Sequence, residues 1–385
     1  MSPNRTGNVV SWASDIDDAT IDQARRVASM PFVHGHVALM PDAHLGKGAT
    51  IGSVIPTRGA VIPSAVGVDI GCGMVAVETP FTSAHLPDDL AALHDRIAAT
   101  VPAGIGQGHD EAEGRAAALL ADRRVGLTQK QEHTAGTQLG SLGSGNHFVE
   151  VCLDERDHVW IVLHSGSRGI GNQLATTHIE AAKGTMRRYF IELPDPDLAY
   201  VVEGTEEFDA YINAMLWAQD YAATNREVMV DAVIDQLGLF VDRPFEPLTR
   251  INCHHNFCEL EHHGGHDVWV TRKGAIRARE SDLGVIPGSM GTRSYIVQGK
   301  ASPASYHSSS HGAGRRLSRT RARRELDLEG LRDQMSGKAW NAADAEALLD
   351  EDPRAYKDID QVMEDQQDLV EIRHTLSQVL NYKGV

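Results

Sequence analysis

The chain has 385 residues, 42% of them hydrophobic and 23% charged, which is the composition of a folded globular protein and excludes a disordered or collagen-like one. A formal net charge of −17 argues against non-specific nucleic-acid binding over the whole surface, while leaving room for a local basic site. No apolar run reaches membrane-spanning length and Met1 to Ala19 lack the apolar core of a signal peptide, so a cytoplasmic protein with no membrane contact is expected.

The four cysteines, Cys72, Cys152, Cys253 and Cys258, are too few for a disulfide scaffold and read as reduced thiols. In chain order, residues 16–30 carry the period of a short amphipathic helix. Residues 40–48 (Met40-Pro41-Asp42-Ala43-His44-Leu45-Gly46-Lys47-Gly48) read as a glycine-punctuated loop. Short strands are expected over 49–57 and 60–62, and a tight loop running into a strand over 65–78. Residues 86–98 and 111–122 read as helices, separated by a flexible glycine loop at 104–110. A second glycine-rich connection, 136–146, leads into strands at 147–154 and 159–164, which a turn at Asp157 joins as a hairpin. Helices are expected over 173–190 and 209–237. Strands follow over 250–256 and 268–272, then a loop and strand over 284–296. Residues 315–325 read as a basic helix, and the chain after Glu325 as helical and mostly acidic. There is no internal repeat, low-complexity linker or composition break. The expected fold is therefore α+β: a single large mixed α/β domain over 1–385, with β-sheets flanked by helices and a helical subregion at 175–242.

Asp69 and Cys72 stand three apart in a loop with Gly67, Gly71 and Gly73, which can bend both side chains towards one ion. His147 opens one predicted strand, His164 closes the next and His255 sits on a third. Carboxylate, thiolate and imidazole are competent metal ligands, and a thiolate can bridge two ions. Zinc suits the sulfur and nitrogen donors, whereas manganese prefers oxygens such as those of a bound phosphate. Each residue alone reads equally well as a satisfied polar group near a strand end. His-Glu-x-x-His, Walker A and Gly-x-Gly-x-x-Gly patterns are absent.

In Ser308-Ser309-Ser310-His311-Gly312-Ala313-Gly314-Arg315-Arg316, one histidine lies between a serine run and two glycines. The small residues leave the backbone open to a phosphate, the arginines can hold it, and the histidine can attack it or shuttle a proton. The same stretch also reads as a polar loop before a solvated helix. The run Arg315, Arg316, Arg319, Arg321, Arg323 and Arg324 suits a nucleic-acid backbone, or a face salt-bridged to Glu325, Asp327 and Glu329. Glu150, three residues after His147 on a strand, points to the opposite face, towards a base or a core hydrogen bond. Lys273, Ser289 and Ser294 are further candidates for phosphate or base contacts. Only 5% of residues are aromatic, so extensive base stacking is not expected.

Taken together, these segments resemble the RtcB family of RNA-splicing ligases. The resemblance is carried by 40–56, 66–74, 142–155, 163–172, Asn252-Cys253-His254-His255-Asn256, Thr271-Arg272-Lys273-Gly274, 287–295, 310–315 and 355–360, in family order over nearly the whole chain. It implies an RtcB-like fold and a ligase dependent on GTP and two Mn2+ ions. Such a ligase joins RNA 2′,3′-cyclic phosphate or 3′-phosphate ends to 5′-hydroxyl ends, in tRNA splicing or RNA repair. It also implies that His311 is the nucleophile that becomes a histidine–GMP intermediate. By motif, Asp69, Cys72, His147, His164 and His255 match the metal ligands, with Cys72 as the bridging thiolate. Asn146, Glu150, Ser289, Ser294, Tyr356 and Lys383 match guanylate contacts, and Asp42 an acidic residue that supports guanylylation. An activating protein of the archease type is compatible with the resemblance. The segment between Val101 and Gly136 is shorter than the family pattern, and serines precede His311 where bacterial relatives often carry cysteines. On the residues alone, a metal-dependent RNA phosphodiesterase or a non-catalytic RNA-binding paralogue remain the competing readings.

Overall fold

The computed structural model describes residues 3–122 and 124–384. Two sheets dominate. One has six strands in the order Asn4–Thr6, Val9–Ser11, Val37–His44, Ile51–Thr57, His266–Lys273 and Asn256–His263. The other has seven, in the order Thr249–His254, Gly73–Thr82, His158–Ser165, Phe148–Leu153, Val370–Lys383, Ser294–Gly299 and Leu283–Pro287. The chain is thus a mixed α/β fold, as the sequence led us to expect. The expected hairpin is present, with Asp157 in the left-handed region at its turn.

The seven-stranded sheet is built from β-branched and aliphatic residues. Val75, Val77, Ile161, Leu163, Val149 and Val151 form one apolar face, and Met229, Val230, Val233 and Leu237 of the long helix Glu206–Phe240 cover it. That helix also packs on Arg168–Arg188 through Trp217, Ala218 and Tyr221. A separate core joins Val54, Val268 and Val270 of the six-stranded sheet to Ile286, Tyr295 and Val297 of the other. The two sheets meet at His255: residues up to His254 pair with Gly73–Thr82, and residues from Asn256 pair with His266–Lys273.

Several elements differ from expectation. Residues 40–44 belong to strand Val37–His44 and are not a loop. Its register with Ile51–Thr57 shifts between Leu39 and His44, so residues 40–43 bulge, and Pro41 and Gly46 advertise the bulge more than the strand. Lys357 fills the gap, donating to the carbonyls of Ala43 (2.8 Å) and Pro41 (3.2 Å). Asn256–His263 is a strand that the reading passed over. The basic helix starts at Arg319, where Ser318 caps it, rather than at 315. The largest correction lies beyond Glu325: the short helices Leu328–Gln334 and Ile359–Asp365 give way to the 14-residue strand Val370–Lys383. A register shift between Gln378 and Leu380 hides its alternation. No described helix is long and apolar enough to cross a membrane.

Candidate active site

The five candidate ligands arrive from four places. Asp69 and Cys72 come from the turn after the short helix Pro63–Val66, and His147 directly precedes strand Phe148–Leu153. His164 lies near the end of His158–Ser165, and His255 at the crossing between the sheets. The structure brings all of them together. Cys72 Sγ is 3.4 Å from His147 Nε2 and 3.2 Å from His164 Nε2. His147 Nε2 is 3.3 Å from Asp69 Oδ2, and His164 Nε2 is 2.9 Å from His255 Nε2. Gly166 permits this closeness, since a Cβ there would sit 2.1 Å from Asp69 Oδ1.

The Nδ1–H groups of His147 and His164 donate to the carbonyls of Leu142 (2.9 Å) and Asn146 (3.0 Å). A carbonyl only accepts, so both neutral rings present a bare Nε2 to the centre. His255 Nδ1 is buried and has no hydrogen-bond partner among the described residues. Bare imidazole nitrogens, a thiol and a carboxylate packed this tightly make a poor hydrogen-bond network and a good cation cage. Burial drives His164 and His255 well below the usual imidazole range, and so keeps them neutral, as ligands must be. Burial works to raise Asp69, but its contacts with His147, and behind them with Cys72, outweigh it and bring the carboxyl down to about 2. Burial and the Asp69 charge push the Cys72 thiol well up, an effect that a bound divalent cation opposes by stabilising the thiolate. The donor set fits a metal.

His311 follows the strand Ser308–Ser310, and its ring lies 4.7 Å from that of His255. Its Nδ1–H donates to Asp42 Oδ2 at 2.6 Å. The same oxygen accepts the backbone N–H of His311 (3.1 Å) and of Gly312 (3.3 Å). Asp42 is fully buried, yet the charge and hydrogen bond of His311 overcome burial and hold its carboxyl below the ordinary range. With Nδ1–H held by Asp42, the neutral form of the ring keeps its lone pair on Nε2, the state a nucleophile needs. Gly274, with φ of 63°, lets the chain pass His311: a Cβ there would lie 3.0 Å from the ring.

His311 and Asn146 lie between two cavities. The first, of about 260 Å³, is lined by Phe148, Glu150, Ser289, Arg315, Tyr356 and Lys383, among others. Glu150 is buried, and burial raises its carboxyl to about 8 although Lys383 pulls the other way. Asn381 donates to it at 2.8 Å. Ser294 is brought near but does not line this cavity; its hydroxyl is buried and unpartnered. The second cavity, of about 310 Å³, is lined by Asp69, Cys72 and His255 together with Lys47 and Lys273. Lys273 Nζ donates to the Ser64 carbonyl at 3.0 Å and to that of Lys47, and burial lowers its pKa to about 8.

Two groups escaped the sequence reading. Glu351, buried, accepts from Lys383 (2.7 Å), Arg319 (2.6 Å) and the Tyr356 hydroxyl (2.8 Å), tying three segments of the first cavity together. Arg226, fully buried, donates to the carbonyls of Gly71 (2.7 Å) and Ser165 (3.1 Å) and to Asn252 Oδ1 (2.8 Å) beneath the candidate ligands. The available signal was a charge on the apolar face of a helix. The basic run resolves mostly into ion pairs: Arg316 with Asp15, Arg319 with Asp350 and Glu351, Arg323 with Asp350, and Arg321 and Arg324 with Glu325.

The family model described as tRNA-splicing ligase RtcB matches residues 23–384. The chain belongs to the RtcB family. It is 48% identical to the RNA-splicing ligase RtcB of Escherichia coli K12, over 94% of this chain and 93% of that protein. It is 32% identical to the RNA-splicing ligase RtcB of Mycobacterium tuberculosis H37Rv, over 89% of this chain and 95% of the relative. The tRNA-splicing ligase RtcB of Thermococcus kodakarensis is 31% identical, over 90% of this chain and 87% of its own. The RtcB match takes in every residue placed at the centre above, from Asp42 to Lys383.

Proposed function

We propose that this RtcB-family ligase joins RNA 2′,3′-cyclic phosphate or 3′-phosphate ends to 5′-hydroxyl ends, using GTP and two Mn2+ ions. The observation that carries the reading is His311: its Nδ1–H is tied to a buried carboxylate and its ring stands beside the cation cage, between two cavities. Nε2 attacks the α-phosphorus of GTP; a P–N bond forms, the bond to the β-phosphate oxygen breaks, and pyrophosphate leaves. Water first opens a 2′,3′-cyclic end, breaking the bond from phosphorus to O2′ and leaving a 3′-phosphate and a 2′-hydroxyl; an RNA 3′-phosphate oxygen then displaces the histidine, giving an RNA–guanylate anhydride. The 5′-hydroxyl attacks the RNA phosphorus, GMP leaves, and the phosphodiester closes.

Asp69, Cys72, His147, His164 and His255 would hold the metal, which supplies charge neutralisation on the phosphates. Asn146, Glu150, Ser289, Tyr356 and Lys383 would hold the guanylate, with the Glu150 carboxyl facing the donor edge of guanine; Ser294 would support that wall from behind. Asp42 orients His311 and stabilises the positive charge that grows on its ring. All four cysteines are free, which suits the reducing cytoplasm, where tRNA splicing or RNA repair would supply the ends.

Incubation with α-labelled GTP and manganese tests this directly. The expected outcome is an acid-labile label on the protein that disappears in His311→Ala. RNA cleavage without GTP, and no label, would favour the phosphodiesterase instead.

A further inference from the structure

Helix Arg168–Arg188 starts at the metal centre and ends at a feature that folding does not explain. Its last turn closes in a Schellman arrangement: the N–H of Ile191 reaches the carbonyl of Met186 (3.0 Å) and that of Phe190 the carbonyl of Arg187 (3.3 Å). The left-handed position of this motif, where glycine is the usual residue, is Phe190, with φ of 55°. Its side chain is 91% exposed and that of its neighbour Tyr189 65% exposed. Neither backbone preference nor packing accounts for a phenylalanine there.

The same helix connects that aromatic pair to the second cavity. Thr176, Ile179, Glu180 and Lys183 line the cavity, and Arg187 lies one turn, about 6 Å, further along the same face. Lys183 is paired with Asp197 and Glu180, which neutralises the acidic member of the lining. Among the described residues, Lys47, Lys273, Arg187 and Arg188 form no ion pair, in contrast to the outer arginines of the 315–324 run, which pair with carboxylates. Free positive charge and exposed rings thus follow one line outward from the metal ligands. A cationic track ending on aromatic faces is what single-stranded nucleic acid recognises. Of the two RNA ends, only the one with a terminal phosphate gains from the buried cation Lys273.

We propose that the RNA strand bearing the 3′-phosphate runs from the metal centre along the outer face of helix Arg168–Arg188 and rests its bases on Tyr189 and Phe190. This rests on the ligase reading above. The strand's terminal phosphate sits by Lys273, its next phosphates pass Lys47 and Arg187, and the aromatic pair sets how many nucleotides upstream of the end are held.

The test uses the full chain with manganese and 5′-fluorescein RNAs bearing a 3′-phosphate, a trinucleotide and a dodecanucleotide, together with a 3′-fluorescein dodecanucleotide that has a 5′-hydroxyl and no 3′-phosphate, all read by anisotropy. Phe190→Gly is expected to keep or raise the melting temperature while weakening the dodecanucleotide at least roughly five-fold, leaving the trinucleotide unchanged. Arg187→Glu/Arg188→Glu is expected to flatten the salt dependence of the longer RNA by roughly one log unit per cation removed. Unchanged dodecanucleotide affinity and salt slope in both variants would overturn the proposal. So would a loss confined to 5′-hydroxyl RNA lacking the 3′-phosphate. A wild-type chain that takes no label from GTP refutes the ligase reading instead, so the two failures are distinguishable.

Discussion

Asp42→Asn isolates the charge of Asp42 from its geometry. Oδ2 accepts three N–H groups, the His311 ring at 2.6 Å and two backbone amides at 3.1 and 3.3 Å, whereas Oδ1 is buried without a partner. An asparagine that turned its NH2 towards His311 would face two backbone donors, so its oxygen must take the Oδ2 position. The ring then keeps its tautomer and Nε2 stays available. What is lost is the ionic part of one hydrogen bond, the difference between a charged and a neutral one, about 1–1.5 kcal/mol, and hence about 5- to 13-fold in rate. Asp42→Ala frees the ring and strands two amides, and should cost about 10²- to 10⁴-fold, in the range of a lost proton-handling partner. The assay is single-turnover transfer of label from α-labelled GTP to protein, quenched in base. If Asp42→Asn were as slow as Asp42→Ala, the oxygen-facing orientation would be wrong. Wild-type speed in Asp42→Asn would remove any part for the carboxylate charge.

Glu150→Gln should raise the KM for GTP about 10- to 150-fold with little change in the maximal labelling rate, since the donor edge of guanine draws the buried carboxyl into its ionised form, which Lys383 already favours against burial, and an amide cannot supply that charge-assisted hydrogen bond in ground or transition state; an unchanged KM would detach Glu150 from guanine. Glu261 is buried against Arg272, whose charge overcomes burial and holds the carboxyl at about 2, below its ordinary 4.5. A depressed folded pKa contributes stability that is full above pH 4.5 and is lost as pH falls towards 2, here about 3 kcal/mol. Glu261→Gln should therefore lower neutral-pH stability by about 3 kcal/mol and flatten the acid limb of a denaturant titration series; parallel acid limbs would count against the pairing. Arg226→Met should release the Gly71 and Ser165 carbonyls, lower the melting temperature and reduce bound metal measured by elemental analysis; full metal loading would make Arg226 a purely structural brace.

The chemistry of this chain was more legible than its topology. Asp69, Cys72, His147, His164 and His255 could be picked out because metal-ligand residue types are rare beside glycines at strand ends. Their convergence could not be read, because it depends on two sheets crossing at His255. His311 was legible as a reactive type, while its partner Asp42 lay in a bulge that looked like a loop. Strand Val370–Lys383 was missed because acidic helices precede it and a bulge breaks its period. The arginine run illustrates the opposite error. Charge density in sequence is not free charge, and Arg319 and Arg323 spend theirs on Asp350, which one-dimensional spacing does not reveal.

The position of strand Val370–Lys383 has a consequence for the order of events in the life of the chain. It is an interior strand, hydrogen-bonded to Phe148–Leu153 on one side and Ser294–Gly299 on the other. Until those residues emerge from the ribosome, both neighbours present bare edges, and bare edges invite pairing with other chains. The same strand brings Lys383 to the wall of the first cavity and Asn381 onto Glu150, which also lines it. Synthesis therefore passes through an interval in which Asp69, Cys72, His147, His164 and His255 are already made but the first cavity is not. Completion of the first cavity and protection from aggregation are reached in one step, when this strand zips into the sheet.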